Sequence, residues 1–244
     1  MIEPLPPPST LRRCVEHLGI PQSAINWDLL DQALIHASVS PDRNNERLEF
    51  LGDSVLRLAT AEFLMERYPN ATVGELTMVR SHLVSDQTLT RIAEELGLER
   101  FLQVSSAAAG DQAARPKRLA DAMEAILAVL YLSKGDLALV HPWLDHHLEA
   151  LAKKLLANPE AHNPKTALQE LTQKGYKVLP DYRTMEVSTV HGDPARFRSE
   201  VWFHDRCLGT GVGASRKAAE QAAALEGYQT LQALERLPAP EIAE

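Results

Sequence analysis

The sequence predicts two domains of different class, an α + α/β arrangement: an all-α helical bundle at residues 9–156, then a smaller α-β-β-β-α domain at residues 164–235. Three observations carry this prediction. Apolar residues recur at helical spacing almost without interruption up to Leu156. A polar, Pro-containing stretch, Ala157-Asn158-Pro159-Glu160-Ala161-His162-Asn163, stops that pattern and reads as a linker. Beyond Pro164 the apolar period changes from helical spacing to strand alternation and back again.

After a Pro-rich start, helical periodicity covers Leu11 to Leu18, Leu29 to Ile35, Leu48 to Leu64, Leu76 to Leu96, Leu119 to Leu132 and Leu137 to Leu156. The breaks fall where backbone chemistry demands them, at Gly19-Ile20-Pro21, Pro41, Tyr68-Pro69-Asn70, Gly97 and Lys134-Gly135-Asp136. Residues 103–118 are rich in Ala, Ser, Gly and Pro and read as a mobile loop. In the second domain, Thr166 to Gly175 is a short amphipathic helix. Tyr182 to Ser188 and Ala195 to Phe203 alternate as strands, with Phe197, Val201 and Phe203 on one face. Arg206 to Val212 is a third strand and Ala214 to Leu234 a second helix, which together lay two helices on one face of an antiparallel sheet.

The chemistry concentrates in two acidic clusters. Glu46, Glu49 and Asp53 stand at i, i+3 and i+7, on one face of a helix whose opposite face carries Leu48, Leu51, Val55 and Leu58. Three crowded like charges destabilise a helix, so either the face is simply solvated or it holds a cation. The second cluster bears on that choice. Asp121 and Glu124 stand at i, i+3 in the strongly apolar run Ala120 to Leu130, and carboxylates are rarely buried there unless paired or metal-bound. Two helices presenting carboxylates could hold one or two divalent ions between them. Hard oxygen ligands suit Mg²⁺, and such sites serve in-line attack of water on a phosphodiester.

Glu46-Arg47-Leu48-Glu49-Phe50-Leu51-Gly52-Asp53-Ser54 resembles the signature of the ribonuclease III family, and Leu119-Ala120-Asp121-Ala122-Met123-Glu124-Ala125 resembles its second acidic motif. His36-Ala37-Ser38 is similar to the family's His-x-Ser helix end. Gly74-Glu75-Leu76-Thr77, with Arg80 and Leu83-Val84, is similar to the segment between the motifs. The resemblance implies metal ligation by Glu49, Asp53, Asp121 and Glu124, with Asp53 and Glu124 nearest the chemistry. It places Glu46 at the site's edge as an RNA or positioning contact, and Phe50 as a plug into a partner subunit. His36 is expected to pack or cap. The implied activity is hydrolysis of double-stranded RNA with Mg²⁺, or Mn²⁺ as its substitute, by a homodimer that leaves 5′-phosphates and short 3′ overhangs. Processing of ribosomal and other structured RNA precursors follows from the same resemblance.

The last third of the chain resembles a double-stranded-RNA-binding domain. Pro164-Lys165-Thr166-Ala167-Leu168-Gln169-Glu170 is similar to that family's first helix, where Thr166 and Gln169 would meet the minor groove and its 2′-hydroxyls. Arg216-Lys217-Ala218-Ala219-Glu220 is similar to the basic start of its second helix, where cations and free backbone N–H groups would straddle phosphates. Gly209-Thr210-Gly211-Val212-Gly213 is similar to the Gly-rich turn leading into that helix, and its spacing fits neither common nucleotide fingerprint. His191, in the loop Val190-His191-Gly192-Asp193-Pro194, would add an RNA contact, though displaced from the usual Gly-x-x-His order. Two further departures stand out. Lys117 replaces a Ser near the start of the second acidic helix, where Gly110 stands alone instead of a Gly-Gly turn, and Val73 sits where some relatives have Glu.

Composition sets outer limits. The net charge is −8, with 15 Lys+Arg against 22 Asp+Glu in residues 1–162 and 9 of each in residues 163–235. The acidic excess belongs to the half expected to bind metal, while the neutral half must gather its basic residues on one face to grip RNA. No apolar run approaches a membrane span and the start is no secretory signal, so the expected location is the cytoplasm and no membrane partner is expected. Cys14 and Cys207 read as free thiols. Asp145-His146-His147 is similar to a phosphoesterase triplet, but consecutive helical residues point apart. Two other functions stay open: an RNA-binding protein without catalysis, disfavoured by the four intact acids, and a small-molecule phosphohydrolase, disfavoured by the second domain.

Overall fold

The computed structural model describes residues 9–22, 25–158, 163–190 and 192–236, so the Pro-rich start, residues 159–162 of the linker and His191 lie outside the described residues. The chain forms two compact units, Met1–Lys154 and Leu155–Glu244. The first is helical and the second carries a three-stranded sheet.

The first unit begins with α1 (Ser9–His17) and α2 (Trp27–Ala33), the latter capped by Asn26, whose side chain accepts from the Leu29 amide. The long signature helix α3 (Glu46–Arg67) follows, entered through Asn44: its Oδ1 accepts from the Glu46 amide and its Nδ2 donates to the Ser40 and Pro41 carbonyls. The single periodic run from Leu76 to Leu96 is two helices, α4 (Val73–Leu83) and α5 (Asp86–Glu95). Ser85 divides them by offering its hydroxyl to the Thr88 amide, an N-cap that leaves the apolar periodicity intact. A capping box between Thr72 and Glu75 starts α4.

Residues 103–118 are not one loop. Ser105 caps a short helix, α6 (Ser106–Gly110), and Arg115–Arg118 form the first turn of α7 (Arg115–Lys134), where Pro116 needs no N–H partner. Alanine-rich sequence supports these turns, whereas loop composition obscured them. Gly135 in the left-handed region ends α7, and α8 (Val140–Ala157) closes the unit.

The core forms around α7, which is buried at every position from Ala122 to Leu130 and packs against α3. Gly52 permits this packing. A β-carbon there would collide with the backbone carbonyl of Glu124, so only glycine lets the two helix backbones meet. Leu48, Val55, Leu56, Ala59, Phe63 and Leu64 are buried with Gly52 on α3, whereas Leu58, expected on this face, is 51% exposed.

The second unit runs α9 (Pro164–Tyr176), β1 (Asp181–Glu186), β2 (Phe197–Phe203), β3 (Arg206–Gly213) and α10 (Arg216–Arg236). The strands are antiparallel in the order β1-β2-β3, with Tyr182 opposite Val201 and Phe197 opposite Gly213. Leu168, Val201, Phe203, Leu208, Ala223, Ala224 and Leu231 form its core. Gly209 to Gly213 belong to strand β3, not to a turn. A β-carbon on Gly209 would stand 2.5 Å from the Gly227 nitrogen, so this glycine run brings α10 against the sheet backbone.

Candidate functional site

The crossing of α3 and α7 at Gly52 determines where the acids fall. It faces Glu49, one turn before Gly52, toward Asp121 and Glu124, and carboxylate oxygens of these three residues lie within 4.8 Å of one another. Glu124 is only 6% exposed. Burial, followed by the charge of Asp53, pushes its carboxyl up to about 7. Burial and then Asp121 raise Glu49, and burial raises Asp121 against the opposing pull of Lys117. One buried and two half-buried carboxylates with raised proton affinity are under-compensated as anions. A divalent cation fits this donor set, which is all hard oxygen and has no soft ligand.

Asp53 stands beside this cluster, where it is the strongest charged neighbour of Glu124, but it lies outside the close triplet. Its carboxylate accepts from Arg57 Nε at 2.9 Å on both oxygens, one turn further along α3. Glu46 is peripheral and exposed, accepting from Asn44 Nδ2 at 3.3 Å. Phe50 projects from the same helix and is 81% exposed.

Lys117 is the component that the sequence marked only as a departure from the family pattern. Its ammonium lies 2.5 Å from Asp121 Oδ1, 3.8 Å from Glu49 and 4.0 Å from Asp86. The signal was available, because Lys117 precedes Asp121 by four residues on one helix face. The hydrogen bond to Asp121 raises the Lys117 ammonium above its ordinary value, so it stays charged. His36 bonds to Ser38, although its charge is felt at Asp121. Its Nδ1 accepts from the Ser38 amide at 3.1 Å, and Ser38 Oγ accepts from the Ser105 amide, which pins the approach to α6. Val73, at the start of α4, is 80% exposed.

Asp145 of the Asp-His-His triplet is engaged by His141, whose Nδ1 lies 3.1 Å from Asp145 and whose Nε2 lies 3.2 Å from Glu62 of α3. This clasp joins α8 to α3 at positions remote in sequence from the acidic motifs. Burial lowers the His141 imidazole, but the bonds to Asp145 and Glu62 outweigh it and hold the group above its ordinary value.

In the second unit, Thr166 and Gln169 are exposed on α9, and Arg216 and Lys217 are exposed at the start of α10. Ser215 caps that start, its hydroxyl accepting from the Ala218 amide at 3.2 Å. Arg216 also lies over the Phe197 ring, 5.8 Å from its centroid. Among the described residues no helix is long and apolar enough to cross a membrane.

Comparison with known proteins finds a family match for each unit. The family described as Ribonuclease-III-like matches residues 26–149, and the Double-stranded RNA binding motif matches residues 164–231. The chain is 46% identical to a protein named Ribonuclease 3 2 from Synechocystis sp., over 95% of this chain and 96% of the relative. It is 50% identical to Ribonuclease 3 2 from Nostoc sp. (88% and 89% covered) and 48% identical to Ribonuclease 3 from Gloeobacter violaceus (91% of each). Among solved structures, the nuclease domain of ribonuclease III from Campylobacter jejuni matches with a TM-score of 0.50 at 30% identity, covering 60% of this chain and 96% of that one.

Proposed function

The chain belongs to the ribonuclease III family, a double-stranded-RNA-specific endoribonuclease using a divalent metal, and from that premise we propose how its residues divide the work. Glu49, Asp121 and Glu124, joined by Asp53, hold Mg²⁺, with Mn²⁺ as a substitute. A bound ion supplies Lewis-acid chemistry, acidifying water and offsetting charge on the phosphoryl group. The observation that carries the assignment is the close grouping of three buried or half-buried carboxylates from two helices fixed against each other at Gly52.

The protein's own groups do the rest. Asp53 and Glu124 lie nearest the chemistry, and the raised proton affinity of Glu124 means that a binding cation must displace a proton from it near neutral pH. Glu46 guards the edge of the site. Thr166 and Gln169 meet the minor groove while Arg216 and Lys217 straddle phosphates. Phe50 inserts into a second copy of the chain, since an aromatic side chain this exposed on a rigid helix suits a partner's pocket. The homodimer cuts both strands, leaving 5′-phosphates and short 3′ overhangs, and acts in the cytoplasm on ribosomal and other structured precursors. The domains are residues 9–156 and 164–235, joined by 157–163, and His191 remains a proposed RNA contact from sequence alone.

A gel assay of a long RNA duplex with and without Mg²⁺ tests this reading. Metal-dependent fragmentation is expected; binding without cutting at any metal concentration would refute the catalytic assignment.

A further inference from the structure

Lys165 is a cation beside Thr166, at the start of a helix that the proposed function turns toward RNA. A phosphate contact would be the simplest role for it. The structure places its charge elsewhere. Lys165 Nζ donates to Glu220 Oε2 at 2.7 Å, and its backbone amide donates to Gln221 Oε1 at 3.3 Å. The ammonium also lies 4.4 Å from the centroid of the Tyr182 ring. The second oxygen of Glu220 accepts from Thr184 Oγ1 at 3.2 Å, and Thr184 in turn pairs with fully buried Ser199 at 2.8 Å. Glu220 therefore joins α9, α10 and β1 through one carboxylate, and β2 through Thr184. The Lys165 bond holds that carboxyl below its ordinary value, so it is charged.

Glu220 lies one helical turn after Arg216, and Lys165 immediately precedes Thr166. The bond between them sets the separation of the two helix starts that carry Thr166, Gln169, Arg216 and Lys217. We propose that Glu220 and Lys165 are positioning residues for duplex recognition: their ion pair, anchored on Thr184 and Ser199, holds the starts of α9 and α10 at the spacing that lets one duplex touch both. Lys165 acts through Glu220 and not on phosphate. This rests on the reading of the second unit as the duplex grip.

The sign of one substitution separates the alternatives. Glu220→Gln removes a negative charge beside Arg216 and Lys217, so simple electrostatics makes a polyanion bind more tightly. Loss of positioning makes it bind more weakly. The full chain, in EDTA to prevent cutting, is titrated with a labelled RNA duplex across a series of salt concentrations, and melting is followed by circular dichroism.

The wild-type chain is expected to bind. Glu220→Gln and Lys165→Met should each weaken binding about five- to tenfold, and the double variant should be no weaker than the weaker single one, as coupled residues behave. The dependence of log K on log salt should flatten by roughly 0.7–0.9 for each phosphate that the protein no longer neutralises. Exchanging the charges, with Lys165→Glu and Glu220→Lys together, should recover part of the affinity. Unchanged or tighter binding by Glu220→Gln would overturn the proposal, as would additive losses. A loss that follows a lowered melting temperature with an unchanged salt slope would reduce the pair to a structural role and also overturn it. If the wild-type chain fails to bind duplex at all, the reading of the second unit falls, a result distinct from any of these.

Discussion

Gly52 of α3 and Glu124 of α7 meet backbone to backbone, with no room for even a methyl group between them. The contact binds the fold and the site into one arrangement. It is a backbone contact between the two helices that supply the carboxylates, one turn from Glu49, whose carboxylate groups with those of Asp121 and Glu124. Adding a single methyl group is therefore a direct test.

Gly52→Ala should destabilise the first unit by about 3 kcal/mol or more, because the atom it would strike is a backbone carbonyl in a packed core and not a flexible side chain. Thermal melting of the two proteins checks this. A melting temperature within a degree or two of wild type would mean that the helices can separate at little cost.

Glu124→Gln keeps shape while removing the buried charge. Cleavage should fall by at least about 10²-fold at saturating Mg²⁺ if an oxygen ligand and proton-holding group is lost. Duplex affinity should stay within a few-fold, since Thr166, Gln169, Arg216 and Lys217 are untouched. Near-normal turnover would remove Glu124 from the catalytic group.

Lys117→Ser takes away the ammonium that sits among Asp121, Glu49 and Asp86. Without metal, the carboxylates then repel one another uncompensated, so melting temperature should fall. With metal, the ion no longer competes with a resident cation, and the Mg²⁺ concentration needed for half-maximal thermal stabilisation should drop several-fold. An unchanged metal requirement would show that the ammonium leaves the site freely.

Phe50→Glu should yield monomers in sedimentation, with little cleavage activity. A carboxylate cannot enter an apolar pocket without large desolvation. An unchanged dimer would place the interface elsewhere on the first unit.

His141 offers a pH test on a group that is not among the proposed metal ligands. Its folded-state proton affinity lies above the unfolded value, so the clasp to Glu62 and Asp145 contributes stability that is fully present below the ordinary histidine range. That contribution is lost as pH rises through the raised value. The melting-temperature difference between wild type and His141→Asn should therefore be larger at pH 5.5 than at pH 8.5. A difference independent of pH would mean that the imidazole is neutral throughout.

Much of this was legible in the sequence for physical reasons. Helical spacing alone put Glu49 and Glu124 on helices. The packed face of α3, however, runs through Gly52, Leu56 and Phe63 and leaves Leu58 51% exposed, so the acids stand at its edge and not opposite the expected stripe. The strand alternation around Val201 and Phe203 showed the second unit's sheet in the same way. Ser85 was not legible as a break, because a serine cap interrupts hydrogen bonding without interrupting periodicity. The helix at Ser106–Gly110 was hidden by a composition shared between loops and alanine-rich turns. The i,i+4 spacing of Arg57 and Asp53 was legible on one helix, whereas the reach of Lys117 across to Glu49 was not. Side-chain direction across two helices requires the crossing itself, and that is set by an absent side chain at Gly52.

The burial of α7 has a consequence for how the centre fails. A helix enclosed at every position from Ala122 to Leu130 cannot fray or open by itself; its amides are released only when the whole first unit unfolds. Glu124 thus lies within the enclosed stretch and Asp121 at its edge, while Phe50 and Arg57 lie exposed on its neighbour. Mild heat or denaturant will loosen the periphery first, leaving the acids in register until the unit is lost in a single cooperative event.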